Sequence, residues 1–163
     1  MDSRKTAVAV LVVVVVAGGL WLRHYFSPGE VVKRKMFAMI EAFEEERILG
    51  VMASVSRGYS DPWGFSYETL AGNLHQVMDT YEDLDVDLVI GDVEAADEQV
   101  RIGLEFVVWG KYDGTKGYVV GSVSEPCSAV VEWRKETPGW RFATTVDLDI
   151  PELREELESR RPR

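Results

Sequence analysis

Two hydrophobic periods divide the chain. Between Pro28 and Tyr81 apolar residues recur every three to four positions, and from Leu84 onward they recur every two. Val32, Met36, Met39, Ile40 and Phe43 fall on one helical face. Ser27, Pro28 and Glu30 supply an N-cap, a first-turn proline and the far half of a capping box for that helix. Past Glu44-Glu45-Glu46, residues Ile48, Leu49, Met52 and Val55 resume on a shifted register, which predicts a second short helix or a bend. Leu70, Leu74, Val77, Met78 and Tyr81 then outline a third helix opening near Ser66.

The period of two begins where Leu84, Val86, Leu88 and Ile90 alternate with Asp85 and Asp87. "GDVEAADE" links this strand to a second, in which Val100, Ile102, Leu104, Phe106 and Val108 form one face. The Asp–Gly of "YDGTKG" predicts a hairpin turn into a third strand, Tyr118 to Lys135. That strand is long, and Glu125-Pro126 near its middle predicts a bulge or bend, because proline gives the ladder no donor. "ETPG" turns into a last strand, Trp140 to Asp147, and a charged helix from Glu152 to Arg160 is expected after Ile150-Pro151. The plan is α+β: an antiparallel four-strand meander packed on three N-terminal helices.

Ahead of the first helix stands an uncharged run, "TAVAVLVVVVVAGGLWL", Thr6 to Leu22. A bilayer core calls for ~17–25 helical residues, so the run predicts a transmembrane anchor, extended to residue 26 by the interfacial aromatics Trp21, Tyr25 and Phe26. A second reading is a cleaved signal peptide, with Arg4 and Lys5 as its basic region and Ala17 and Gly19 near a cleavage site. Bulky Leu20 and Trp21 argue against cleavage. Arg4, Lys5 and the short amino tail favour a cytoplasmic N-terminus, whereas Arg23, Lys33, Arg34 and Lys35 pull the other way. The expected organisation is a tail (1–5), a single-pass anchor in the lipid bilayer (6–26), a folded domain (27–150) on the periplasmic or extracytoplasmic side, and a short charged helix and tail (151–163).

Composition narrows the chemistry. The 163 residues carry a net charge of −10. Met1 to Phe26 hold +2 of it, which leaves −12 on the rest. An acidic domain without a basic stripe repels nucleic acid, so no nucleic-acid partner is expected. One cysteine, Cys127, rules out an intramolecular disulfide and reads as a small buried residue. Cys127, His24 and His75 lack zinc-ligand spacing and no calcium loop is present, so no metal and no cofactor is expected. His75, without partners for catalysis, reads as a surface or boundary histidine.

The candidate chemistry lies in "RGYSDPWGFSYE", Arg57 to Glu68. Asp61, Pro62 and Gly64 make a tight corner and Ser66 caps the next helix. Helix, short helix, Asp61-Pro62-Trp63-Gly64, third helix, then long strands ending in a Trp133…Trp140 pair: this order resembles the nuclear transport factor 2-like superfamily, including its SnoaL-like and ketosteroid isomerase-like members, over about Pro28 to Leu148. The resemblance implies a cone-like bent sheet wrapped against helices around a pocket. In ketosteroid isomerases the general base sits on a D-P-x-G segment between the second and third helices, the place that Asp61 holds here. The same comparison expects a tyrosine donor from the first helix and an acid two residues beyond a strand proline. Here Lys35 to Phe37 offers no tyrosine, and the strand position holds Ser128, a weak donor.

The expectation is therefore a membrane-anchored domain that binds a protein partner or a small apolar ligand without turnover. Tyr59, Trp63, Trp109 and Trp133 would line the pocket. A protein partner or homodimer would use the sheet face, with Trp109, Trp133 and Trp140 as anchors. The alternative is a pocket enzyme for proton transfer, isomerisation or dehydration, with Asp61 as base and Ser128 or Tyr59 as donor.

Overall fold

The computed structural model describes residues 17 and 25–151. The anchor over 6–26 falls outside the described residues except at Ala17, Tyr25 and Phe26, and the terminal helix over 152–160 lies wholly outside them. Among the described residues no helix is long and apolar enough to cross a membrane.

Three helices come first: α1 (Pro28–Glu44), α2 (Ile48–Met52) and α3 (Tyr67–Thr80). Helix α1 forms where the sequence predicts it, with Pro28 in the first turn and Val32 and Met36 buried. Ser27 holds the N-cap position but its side chain makes no capping bond, which corrects the expected capping box; Glu30 instead bonds Lys33 at 2.9 Å, one turn along. Helix α3 does have a box. The Ser66 amide donates to Thr69 Oγ1 at 2.7 Å, and the Thr69 amide donates back to Ser66 Oγ at 3.4 Å. No residue of α3 is fully buried, and its predicted stripe is half-covered.

The sheet has five strands, not four: β1 (Glu82–Ala95), β2 (Gln99–Tyr112), β3 (Thr115–Val120), β4 (Cys127–Glu136) and β5 (Gly139–Asp149). All neighbours are antiparallel, in the order β1-β2-β4-β5, with β3 also paired to β2. Strands β3 and β4 lie end to end along one edge of β2, covering Val108–Tyr112 and Gln99–Phe106 respectively. The expected long third strand is thus broken at residues 121–126. Pro126 marks the place, but Gly121 is the other half of the reason. It sits at φ +68°, and a Cβ there would stand 3.0 Å from Cys127 Sγ and 3.1 Å from its amide nitrogen. A crossed pair of bonds between Ser122 and Glu125 closes the loop (2.9 and 3.2 Å). The predicted linker "GDVEAADE" is also shorter than expected: β1 runs on to Ala95, leaving residues 96–98 to turn. Asp113 and Gly114 both have positive φ, as the predicted hairpin turn requires.

Register shifts in β1–β2, β2–β3 and β4–β5 bend the strands. Val100, Ile102, Ala129, Val131, Trp133 and Trp140 face α1 and close on Val32 and Met36 as the main core. A second cluster of Met52, Val55 and Tyr59 joins α2 and α3 to Phe142 of β5. Both sheet edges have cover. Residues 54–56 pair in parallel with β5, exchanging bonds with Phe142 at 2.8 Å each, and Glu44 of α1 accepts the Val86 amide of β1 at 3.0 Å.

Candidate functional site

The corner at Asp61 is built by its own backbone first. Ser60 and Ser66 form a bridge, the Asp61 amide donates to the Phe65 carbonyl at 3.3 Å, and the Gly64 amide returns to the Asp61 carbonyl at 3.1 Å. Gly64 takes φ +87°, so the turn needs glycine there. Inside this loop both oxygens of the Asp61 carboxylate accept hydrogen bonds. Oδ1 accepts the amides of Trp63 (3.0 Å) and Phe65 (2.9 Å), and Oδ2 accepts the Tyr59 hydroxyl at 3.0 Å. A carboxylate with both oxygens in such bonds acts as the corner's tie.

Tyr59 carries the tie into the protein. Its hydroxyl lies 3.1 Å from Thr145 Oγ1 on β5, and since it donates to Asp61 it accepts from Thr145. Burial, chiefly, with the Asp61 charge adding to it, pushes the phenol from 10.0 up to about 12, against the Thr145 bond, which lowers it. The unfolded chain would ionise first as pH rises, so stability is whole below pH 10 and falls between pH 10 and 12. Across that window Tyr59 should cost folding about 2–3 kcal/mol, and Tyr59→Phe should flatten this part of the stability curve, measured by urea unfolding at each pH.

Ser128, the other catalytic candidate, stands on the opposite face of the sheet. In β4 Cys127, Ala129, Val131 and Trp133 point inward and are buried, whereas Ser128 is exposed. It faces an outer cleft of about 300 Å³ with Val89, Gly91, Gly103, Glu105 and Asp147. Thr145, the end of the Asp61–Tyr59 chain, pairs with Val131 and so lies on the inner face. Asp61 and Ser128 are not brought together.

Nor do the four expected pocket residues share a cavity. Tyr59 and Trp133 flank Phe142, with ring centroids 5.1 and 5.8 Å away, in a buried inner row. Trp133 is 0% exposed, and Trp140 is buried beside it, so both belong to the core and neither anchors an interface. Trp63 projects from the corner at 47% exposure. Trp109 lies on the outer sheet face, stacked 4.0 Å from Tyr118, with its Nε1 donating to Asp87 at 2.9 Å. Val89 and Val146 add exposed apolar surface to the same sheet. His75 is a surface residue 3.4 Å from Asp79 on the next turn of α3, and Cys127 is buried. Among the described residues no group of three His, Cys, Asp or Glu is placed to hold a metal.

One arrangement had no signal in the sequence. Glu132 is buried on β4 and accepts from Gln99 (2.6 Å), Arg101 (3.0 Å) and Arg134 (2.8 Å), tying β2 to β4. Alternation alone would have made it one more solvent-facing acid.

No protein-family model matches this chain, and no curated protein does. Solved structures do. A nuclear transport factor 2-like superfamily protein from Salmonella enterica superposes with a TM-score of 0.60 at 11% identity, over 76% of this chain and 90% of that one. A ketosteroid isomerase-like protein from Erwinia carotovora gives 0.57 at 16% identity, over 76% and 95%. A protein provisionally named a scytalone dehydratase, from Novosphingobium aromaticivorans, gives 0.61 at 10% identity, over 73% and 80%. The expected architecture, a bent antiparallel sheet against helices, is thus the nuclear transport factor 2-like fold.

Proposed function

We propose that this nuclear transport factor 2-like fold serves as a non-catalytic binding module, tethered to a membrane through residues 6–26 with its domain on the extracytoplasmic side. It takes a protein partner, a second copy of itself included, or a small apolar ligand. The observation that carries the reading is the engagement of Asp61. A general base must be free to turn toward its substrate, and here two amides hold Oδ1 and the Tyr59 phenol takes one lone pair of Oδ2, so the corner fixes the carboxylate's orientation. The outer sheet face, which carries Val89 at 63% exposure and, farther along, the Trp109–Tyr118 stack, offers apolar and aromatic surface for a partner.

A second reading, a pocket enzyme using Asp61 as base, draws on one observation: a hydroxyl donor, Tyr59, stands 3.0 Å from that carboxylate. It requires Asp61 to leave its amides. The binding reading is tested on the full chain in host membranes, with a photoreactive phenylalanine analogue at Val89 and, as control, at Asp97. A discrete adduct from position 89 alone is expected, with the chain retained in the pellet after alkaline carbonate washing. No adduct at 89 would remove the sheet face as a binding surface, and release into the wash would remove the tether.

A further inference from the structure

The end of the sheet where β4 turns into β5 carries another cleft, of about 400 Å³, distinct in its lining from the one at Ser128. Met52, Val55 and Tyr67 supply apolar wall, Leu49 stands at the rim 83% exposed, and Arg57, Arg141 and Glu136 are the charged lining. Leu49 thus adds exposed apolar surface at the rim of that wall.

The charges decide what kind of ligand. The Arg57 guanidinium lies 4.3 Å from the centre of the Tyr67 ring, held over its face, with its charge felt by the exposed Glu68 and no ion pair formed among the described residues. Arg141 stands directly across from Arg134 in the β4–β5 ladder, and like charges so placed repel. Arg134 is neutralised by Glu132 at 2.8 Å, while Arg141 has no ion-pair partner among the described residues. Glu136 is already committed, accepting the Ser56 hydroxyl at 2.6 Å. The lining therefore holds two cations against one anion, in a chain whose net charge is −10. Neither arginine forms an ion pair among the described residues, and two such cations around an apolar wall concentrate positive potential there.

We propose that this cleft binds a small organic monoanion: a carboxylate, held by Arg57 and Arg141, on an apolar aryl or alkyl body lying along Met52, Val55 and Leu49. The surplus of one positive charge fits a single carboxylate better than a phosphate dianion. Guanidinium groups match a carboxylate through paired donors. The inference rests on the binding-module reading and gives it a ligand class. Turnover of the ligand would defeat that reading, whereas absence of binding would defeat only the cleft.

The test is calorimetric titration of the detergent-solubilised full chain with 4-phenylbutyrate, its neutral amide and inorganic phosphate. Binding of the carboxylate is expected, with at least tenfold weaker binding of the amide and of phosphate. Arg57→Gln and Arg141→Gln should each weaken carboxylate binding about fivefold to twentyfold while the free protein keeps a single cooperative thermal transition. A null result across aryl and alkyl monocarboxylates at millimolar concentration overturns the proposal. So does equal affinity for the amide, or wild-type affinity in both variants. Binding confined to an acidic peptide would assign the cleft to a protein partner and overturn it as well.

Discussion

Truncation of Trp133 to alanine is expected to lower the unfolding free energy by about 3–5 kcal/mol, a large share of the ~5–15 kcal/mol that holds an ordinary domain folded. The indole is 0% exposed and sits in the cluster that joins α1 to the sheet, against Phe142 at 5.8 Å. Removing it opens a cavity beneath Val32 and Met36 that the ladder on either side prevents from closing. Its Nε1–H is buried without a hydrogen-bond partner, so the residue carries a desolvation cost along with its packing gain. Trp133→Phe forfeits part of the packing and removes that cost, and should lose about 1–2 kcal/mol. Urea unfolding of the two variants gives both numbers, and a phenylalanine variant as unstable as the alanine one would mean that the indole N–H is satisfied.

Asp61→Ala should cost about 2–3 kcal/mol, a large loss for a half-exposed residue. Two amides in the 60–66 turn lose their acceptor, and the Tyr59 hydroxyl is left with Thr145 as its remaining partner. Asp61→Asn keeps an oxygen for the two amides and gives up only the charge and the phenol bond. It should recover half or more of the loss. A catalytic base held in a strained position would behave in the opposite way, since its removal relieves strain and leaves stability unchanged or raised.

These two residues also show what the chain's pattern could and could not convey. The element order was legible because helix and strand periods are local, and so was the corner, because Asp61, Gly64 and Ser66 act on their own neighbours. Trp133 was harder to read. An aromatic on an alternating strand suits a pocket, an interface or a core equally, and only α1 lying over the inner face makes it core. The break between β3 and β4 depends on Gly121 meeting Cys127 across the loop, a contact that no period encodes. Glu132 escaped notice for the same reason: its arginine and glutamine partners come from a neighbouring strand and from two residues along. Ser128 kept its expected place in sequence, yet the phase of the alternation turned it to the outer face.

The Asp61 carboxylate ties the 60–66 corner together. Native-state hydrogen exchange at the Trp63 and Phe65 amides tests it most directly, because those two protons are the ones the carboxylate is said to hold. In the full-length wild type and in Asp61→Asn both amides should exchange slowly, and in Asp61→Ala both should exchange at least tenfold faster. Fast exchange in the wild type, unchanged by the alanine substitution, would show the carboxylate free and contradict the account.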